Sequence, residues 1–404
     1  MRIPAPRLSL ALLAGALLGC PSASSPVDPP TAAPTPAPPA ISMAAVDVPA
    51  VDAVVQSAMD AEQLTGLVVG VSRGAEIVYL RGFGFEDVEA QVPVDPSATL
   101  FRWASLSKSL AGVIAVQGLA DATVSLDADI AGIVPGYAVP DRYLPGDCQA
   151  LSCVETLPEP SRQIDLRQLL THTAGIQHYS NGLVYPVPPP AETDDPAVNT
   201  GIAWAVELFK DAPLIAEPGT EYSYSTFGFN LAGVVLEQQY GARFEEVVDA
   251  QISEPLGMTT MTPDFQWVDL PRRAIGYERD GEDITRDGDS DVSWKLPGGG
   301  FISTGEDLAR YCAGVASNVL MPESQRDDVL WATGTPNTTY GLGFGVGTSN
   351  GERRVSHSGS QQKTRTAFRM LPDREVCVTV MSNARWAAPG DIAGAVTEAW
   401  LAAQ

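Results

Sequence analysis

Positive charge and histidine are what this sequence has least of. Its 404 residues carry 25 Lys and Arg against 49 Asp and Glu, a formal net charge of −24. No basic stripe is available for a phosphate backbone, which excludes nucleic acid as a partner. The chain has three histidines, His172, His178 and His357. They are scattered, with none of the spacings that place two on one helix face, so neither a metal nor any other cofactor is expected. Cysteine is sparse as well, at five residues. Cys148 and Cys153 bracket a short polar loop but lack the second Cys or His pair of a zinc site. Beyond the N-terminus no apolar run is long enough to cross a bilayer, and no internal repeat occurs. What remains, 45% hydrophobic and 18% charged, is a globular chain able to bury a large core in two lobes.

The N-terminus reads as an export signal. Arg2 and Arg7 precede an apolar run, Leu8 to Leu18, that ends Leu17-Leu18-Gly19-Cys20. A run of this length is too short for a transmembrane span. It resembles the lipobox of bacterial lipoproteins, which implies cleavage after residue 19 and lipid attachment at Cys20. Residues 20–45 are then a Pro/Ala-rich tether, with Pro21, Pro26, Pro29, Pro30, Pro34, Pro36, Pro38 and Pro39. Such a segment cannot pack a core. Extended at ~3.1 Å per residue, its proline-rich part, residues 21–41, would reach on the order of 60 Å. The expected location is that of an exported lipoprotein, anchored to a membrane and facing the periplasm or the cell surface. That compartment permits disulfides, so Cys148 and Cys153 are expected to pair. Cys312 lies in a helical pattern and Cys377 in a strand pattern; two buried thiols and a bridge both fit them.

Residues 46–404 form the folded domain. Val51 to Leu64 reads as a helix. Leu67–Ser72 and Ile77–Arg81 read as a hairpin around Arg73-Gly74. About 121–295 is mostly helical with Pro-rich loops. Ile275 to Trp294 reads as a two-stranded excursion around an acidic tip. Its Asp287-Gly288-Asp289-Ser290-Asp291 alternates carboxylates but lacks the glycine and bidentate glutamate of an EF-hand. Gly341 to Gly347 reads as a strand with one bare face, since no Lys-Ser/Thr follows as in a phosphate loop. Thr364–Met370 and Glu375–Met381 alternate as strands, and Asp391–Ala402 closes the chain as a helix. The fold class is therefore α+β. Strands from the two ends pair into one antiparallel sheet covered by helices, with a helical lobe inserted between them. A site belongs in the cleft between the lobes.

The chemistry starts at Ser105-Leu106-Ser107-Lys108, at the head of a helix running to about Ala120. Residues three apart share a helix face, so Ser105 Oγ and Lys108 Nζ can meet. A serine hydroxyl needs a neighbour to take its proton, and a lysine can do so once burial or nearby charge lowers its pKa. The following residues are apolar on more than one face, as in a buried helix. Two further elements come in order. One is Pro218-Gly219-Thr220-Glu221-Tyr222-Ser223-Tyr224-Ser225-Thr226-Phe227-Gly228. The other is His357-Ser358-Gly359-Ser360, just before a strand.

Ser-x-x-Lys, then Tyr-x-Asn, then Lys/His-x-Gly is the order of the penicillin-recognising serine hydrolases. From about residue 50 to its end the chain resembles the family of class C β-lactamases, D-Ala-D-Ala carboxypeptidases, esterases and amidases. Leu169-Leu170-Thr171-His172-Thr173-Ala174-Gly175 and Gly298-Gly299-Gly300-Phe301-Ile302-Ser303-Thr304 agree with its accessory stretches. Gly175-Ile176-Gln177-His178-Tyr179 is most like the branch of the mitochondrial lactamase-like serine protease. The resemblance implies a β-lactamase/transpeptidase-like fold. It makes Ser105 the nucleophile and Lys108 and Tyr224 the proton relay, with the base unassigned between them and Tyr222 a rival to Tyr224. It places the oxyanion hole at the backbone N–H groups of Ser105 and Ser360, and substrate contacts at Thr226, His357 and Gly359. His172 reads as a structural hydrogen-bonder beneath the cleft.

Two positions depart from the family. Thr226 stands where most members have Asn, and a threonine lacks the paired donor and acceptor of a carboxamide. His357 stands where many have Lys, and a histidine is mostly neutral near pH 7. Both weaken recognition of a substrate carboxylate. The expected activity is therefore an exported, membrane-tethered serine hydrolase acting through an acyl-enzyme on peptide, ester or amide substrates, cell-wall-derived peptides included. Two other readings share the same residues. One is a catalytically silent penicillin-binding-like protein that holds cell-wall peptide or a protein partner. The other is a true β-lactamase or D-Ala-D-Ala carboxypeptidase.

Overall fold

Two strands with apolar side chains on both faces dictate the middle of the molecule. A computed structural model describes residues 40–146, 151–179 and 202–404. Strand β2 (Gly66–Arg73) is buried up to its last residue and β7 (Val376–Ser382) is buried throughout. Strands of this kind must be covered from both sides. They pair antiparallel at the centre, with Val378 opposite Val71 and Val380 opposite Val69. Outward from β2 lie β3 (Glu76–Asp87) and β1 (Ser42–Met43). Outward from β7 lie β6 (Thr364–Leu371), β5 (Glu352–Gln361) and β4 (Gly345–Ser349). The order is β1-β3-β2-β7-β6-β5-β4, and the short strand Val92–Pro93 also pairs with β3. All these pairings are antiparallel except β1 with β3. The ends of the chain thus build one sheet, as the sequence predicts.

Helices α1 (Pro49–Glu62) and α5 (Pro389–Ala402) cover one face. Each has a proline in its first turn, where a missing N–H costs nothing. Val51, Val55 and Met59 of α1 and Ile392, Val396 and Trp400 of α5 pack on Val69, Val71, Val378 and Val380. Burying an aliphatic side chain of this size contributes about 1.5–3 kcal/mol. The other face is covered by α4 (Gly305–Ala316), through Leu308, Cys312 and Val315. Cys312 is bonded to Cys377 with 6.1 Å between their Cα atoms, so a disulfide rather than two thiols ties α4 to β7. Helix α2 (Ser107–Leu119) is buried almost throughout. Helix α3 (Thr226–Tyr240) is the longest element of the helical lobe. Among the described residues no helix is long and apolar enough to cross a membrane.

Three local expectations change. The folded domain begins earlier than residue 46, because Ile41 is buried and Ser42–Met43 add to the sheet edge. The acidic run 287–291 is not a hairpin tip. The hairpin Tyr277–Asp280/Asp283–Arg286 turns at Gly281, and the run follows it. Its carboxylates are taken by protein donors. Asp287 accepts the Lys363 N–H at 2.9 Å, Asp289 pairs with Lys363 Nζ, and Asp291 accepts the Ser293 N–H at 3.1 Å and its hydroxyl at 2.9 Å. Finally, Gly341–Phe344 is a turn, and the strand starts at Gly345. Gly343 has φ +81°, and a Cβ there would lie 2.6 Å from the Lys108 carbonyl oxygen. That glycine lets the loop press against α2 directly behind Lys108.

Candidate active site

The segment ahead of Ser105 is held on three sides. Leu100–Arg102 pairs antiparallel with Phe301–Thr304. The Trp103 N–H donates to the Phe301 carbonyl at 2.8 Å and its indole Nε1 to Ser303 Oγ at 2.7 Å. From β6, Thr364 Oγ1 donates to the Arg102 carbonyl at 3.1 Å and Thr366 Oγ1 to the Trp103 carbonyl at 2.9 Å. Ala104 then takes φ +48°, a left-handed conformation that costs a non-glycine residue on the order of 1–3 kcal/mol. This swings Ser105 into the cleft on a 3₁₀ turn, Ala104–Leu106, that leads into α2. Gly359 of β5 makes the close approach possible. A Cβ there would lie 2.6 Å from the Trp103 carbonyl and 2.9 Å from Ala104 Cβ.

Lys108 is fully buried. Its Nζ lies 3.3 Å from Ser105 Oγ, 3.3 Å from Thr226 Oγ1 and 2.6 Å from the Gly298 carbonyl. A neutral amine has two N–H donors and one lone pair. Gly298 O and Thr226 Oγ1 can take the two donors, which leaves the lone pair for the Ser105 hydroxyl. Burial, and then the charge of Lys295, push the Lys108 amine well below its ordinary range. Its Nζ also sits 4.8 Å from the centre of the Tyr224 ring and 5.6 Å from that of Phe229.

Tyr224 lines the same cleft as Ser105 and interacts with its hydroxyl. Burial raises the phenol above its ordinary range, opposed by that interaction, so Tyr224 keeps its proton at neutral pH. Tyr222 is 43% exposed and does not line the cleft. The register therefore selects Tyr224.

The cleft has a volume of about 440 Å³. Ser105, Tyr224, Thr226, His357 and Ser360 line it, with Lys108 beneath. Gly359 acts as the packing contact just described and is not part of the lining. The reading of motifs did not single out Tyr179, Tyr340, Ser356 and Ser358, which also line it, nor His178 as a cleft residue. His178 and Tyr179 sit in a stretch that carried the family resemblance; Tyr340 left no local signal. Tyr340 Oη and His357 Nε2 are 2.7 Å apart, and His357 Nδ1 is 2.8 Å from the Ser358 carbonyl. A carbonyl only accepts, so Nδ1 carries the proton and Nε2 accepts from Tyr340. Burial, then the Lys108 charge, push His357 down to about 4. Among the described residues no Asp, Glu, Lys or Arg lines the cleft.

The pentapeptide Gly70-Val71-Ser72-Arg73-Gly74 has the spacing of a nucleophile elbow. An elbow leads from strand into helix, whereas here the strand turns into a hairpin and Ser72 is buried. Cys20 and Cys148 lie outside the described residues, and with them the lipid attachment and the pairing with Cys153.

The family model described as Beta-lactamase matches residues 51–398. Serine beta-lactamase-like protein LACTB, mitochondrial, of Homo sapiens is 24% identical over 426 residues, covering 84% of this chain and 74% of that protein. The Mus musculus protein of that name is also 24% identical, over 69% of this chain, and the match spans 58% of its length. Esterase EstB of Burkholderia gladioli is 30% identical over 217 residues, 51% of this chain and 49% of that protein. In fold, the chain is similar to the octameric penicillin-binding protein homologue from Pyrococcus abyssi. The TM-score is 0.69 at 21% identity, over 89% of this chain and 78% of that one.

Proposed function

The chain belongs to the beta-lactamase family, and from that premise we propose an exported, membrane-tethered serine hydrolase that forms an acyl-enzyme on Ser105 with uncharged ester, amide or peptide groups. One observation carries the reading. Ser105 Oγ lies 3.3 Å from a fully buried lysine amine, and a protonated tyrosine lines the cleft with it. As Oγ bonds to the carbonyl carbon, its proton passes to the neutral Lys108 Nζ. The oxyanion faces the backbone N–H groups of Ser105 and Ser360. When the bond to the leaving group breaks, Tyr224 supplies the proton and recovers it from the Lys108 ammonium. Water then cleaves the Ser105 ester by the same route.

The substrate class follows from the lining. His357 is neutral and already engaged by Tyr340. Thr226 Oγ1 accepts from Lys108, and its side chain has no amide group to offer. Neither offers the charge or carboxamide that a β-lactam carboxylate and side-chain amide would use, so ester or peptide hydrolysis is favoured over β-lactam hydrolysis. The similarity to esterase EstB supports the same direction. Export and tethering rest on residues 1–45, with Cys20 as the lipidated residue.

The test is covalent labelling. A fluorophosphonate should add one probe mass to the soluble domain, and Ser105→Ala should abolish the adduct with the thermal melt nearly unchanged. Full labelling of the alanine variant would place the nucleophile elsewhere.

A further inference from the structure

All three histidines of the chain lie around the cleft, and each is placed to accept a hydrogen bond. The clearest cases are His172 and His178. The Ser225 N–H donates to His172 Nδ1 at 3.0 Å, and the Thr226 N–H to His178 Nδ1 at 3.3 Å. These N–H groups belong to the cap and first residue of α3, which have no partner inside the helix. They also follow Tyr224 directly. Two more bonds join the same segments. The Ser223 N–H donates to the His172 carbonyl at 2.8 Å, and Ser225 Oγ to the Gln177 carbonyl at 2.6 Å. Residues 172–178 thus hold segment 223–226 at four points, three of them backbone N–H groups, with Tyr224 in the middle. The His172 ring packs on the Tyr224 ring at 4.3 Å between centres.

We propose that His172 and His178 are positioning residues for Tyr224, each gripping one backbone N–H beside it through the Nδ1 of a neutral imidazole. This rests on the hydrolase reading, in which Tyr224 moves a proton at Ser105.

The choice of imidazole has a physical reason. A carboxylate would grip an N–H at a helix N-terminus at least as well. But His172 shares two rings with Lys108. Its centre lies 4.3 Å from Tyr224 and 4.9 Å from Phe229, and Lys108 Nζ sits over the same two. A negative charge there would favour protonated Lys108 and so disable the base. A neutral acceptor grips the backbone and leaves Lys108 uncharged. Protonating either imidazole would turn its acceptor into a donor facing a donor. The surroundings oppose this. Around His172 stand Lys108, His357 and His178, and the rings of Tyr222, Phe229 and Tyr340. Around His178 stand Lys108, Lys295 and the rings of Tyr179 and Tyr224. Burial first holds His172 well below its ordinary range and His178 at about 4, and any positive charge on the neighbouring bases, with that of Lys295 for His178, acts in the same direction. His172 Nε2, which must carry the proton, has no hydrogen-bond partner among the described residues.

Two measurements decide the matter. In the protein labelled with ¹⁵N-histidine, NMR should show His172 and His178 as neutral Nε2–H tautomers at pH 7 and His357 as the opposite, Nδ1–H tautomer. An Nδ1–H or doubly protonated ring at His172 or His178 overturns the proposal. In the second, His172→Phe and His178→Phe should each slow acylation by an activated ester roughly 10- to 100-fold with KM little changed, as expected of a relay group displaced by about an ångström. His172→Asn and His178→Asn, whose Oδ1 replaces Nδ1, should recover most of that loss. Phenylalanine variants that acylate at the wild-type rate overturn the proposal. If they do not fold, His172→Asn is compared with His172→Asp. The aspartate should move the acid limb of the pH–rate profile upward by about a pH unit or more, and coincident limbs count against the idea. If the wild type takes no serine probe at all, the hydrolase reading fails, and the tautomers alone decide whether the imidazoles grip the loop.

Discussion

Ser105, Lys108 and Tyr224 each owe their chemistry to what surrounds them. In the proposed mechanism Lys108 acts as the base, and what lets it do so is burial among neutral acceptors and rings, with the Lys295 charge adding to the effect. Its protonated form is inactive. The rate of acylation should therefore rise with pH through its depressed pKa and be level well before the ordinary lysine range. It should stay level into the alkaline range, because Tyr224 is pushed upward. An onset of activity only near pH 10 would show that Lys108 is an ordinary, solvated lysine. Lys108→Arg, which cannot give up its proton at any accessible pH, should lose acylation by orders of magnitude. Specificity belongs to this scale too. The wild type should turn over an activated ester faster than a chromogenic cephalosporin. Thr226→Asn with His357→Lys should raise kcat/KM for the cephalosporin relative to the ester. A charge-assisted hydrogen bond is worth ~1.5–3 kcal/mol, or about one to two orders of magnitude in rate. A wild type that prefers the cephalosporin contradicts the argument from Thr226 and His357.

The elements matter because they carry these residues to one point. Strand β6 anchors the turn before Ser105 through Thr364 and Thr366, and β5 reaches it only because residue 359 has no side chain. Helix α4 is bonded to β7 by Cys312–Cys377, which closes a loop with a sequence separation of 65. Loop-closure entropy for that length gives a stabilisation of about 4 kcal/mol. Cys312→Ser with Cys377→Ser should lower the unfolding free energy by a corresponding amount, and the denaturant midpoint with it, while the slope rises because the freed unfolded chain exposes more surface. Acylation at 25 °C should persist, since neither cysteine lines the cleft. A midpoint unchanged within error would show that the bond contributes no net stability. The pairing was open in the sequence because a cysteine in a helical pattern and one in a strand pattern carry no information about their distance. It was decided by α4 lying across the sheet.

At the scale of the whole molecule, the proposed tether and the cleft are separate devices. Cys20→Ser should release the protein from membranes and from the detergent phase, and the soluble domain should keep its reactivity toward a serine probe. A wild-type protein that partitions into the aqueous phase contradicts the lipobox reading. The chain carries a net charge of −24, yet no charged side chain lies among the described residues that line the cleft. The molecule thus stays highly charged while presenting an uncharged wall to substrate.

The sequence by itself determined what is local. Ser105 and Lys108 meet because three positions on a helix make less than one turn. The terminal strands show in their apolar alternation, and the order of three short motifs indicated the family. Only the tertiary structure decided what depends on distant parts of the chain. Tyr224 was separated from Tyr222 by which of them faces Ser105. His357 was made neutral by its burial, and its tautomer was set by Tyr340, 17 residues away, together with the Ser358 carbonyl. His172 and His178 became grips on the tyrosine loop because a segment some 48–53 positions earlier in the chain runs beside it. Periodicity reports which face of an element is buried. It carries no record of which donor will stand opposite which acceptor once the elements pack.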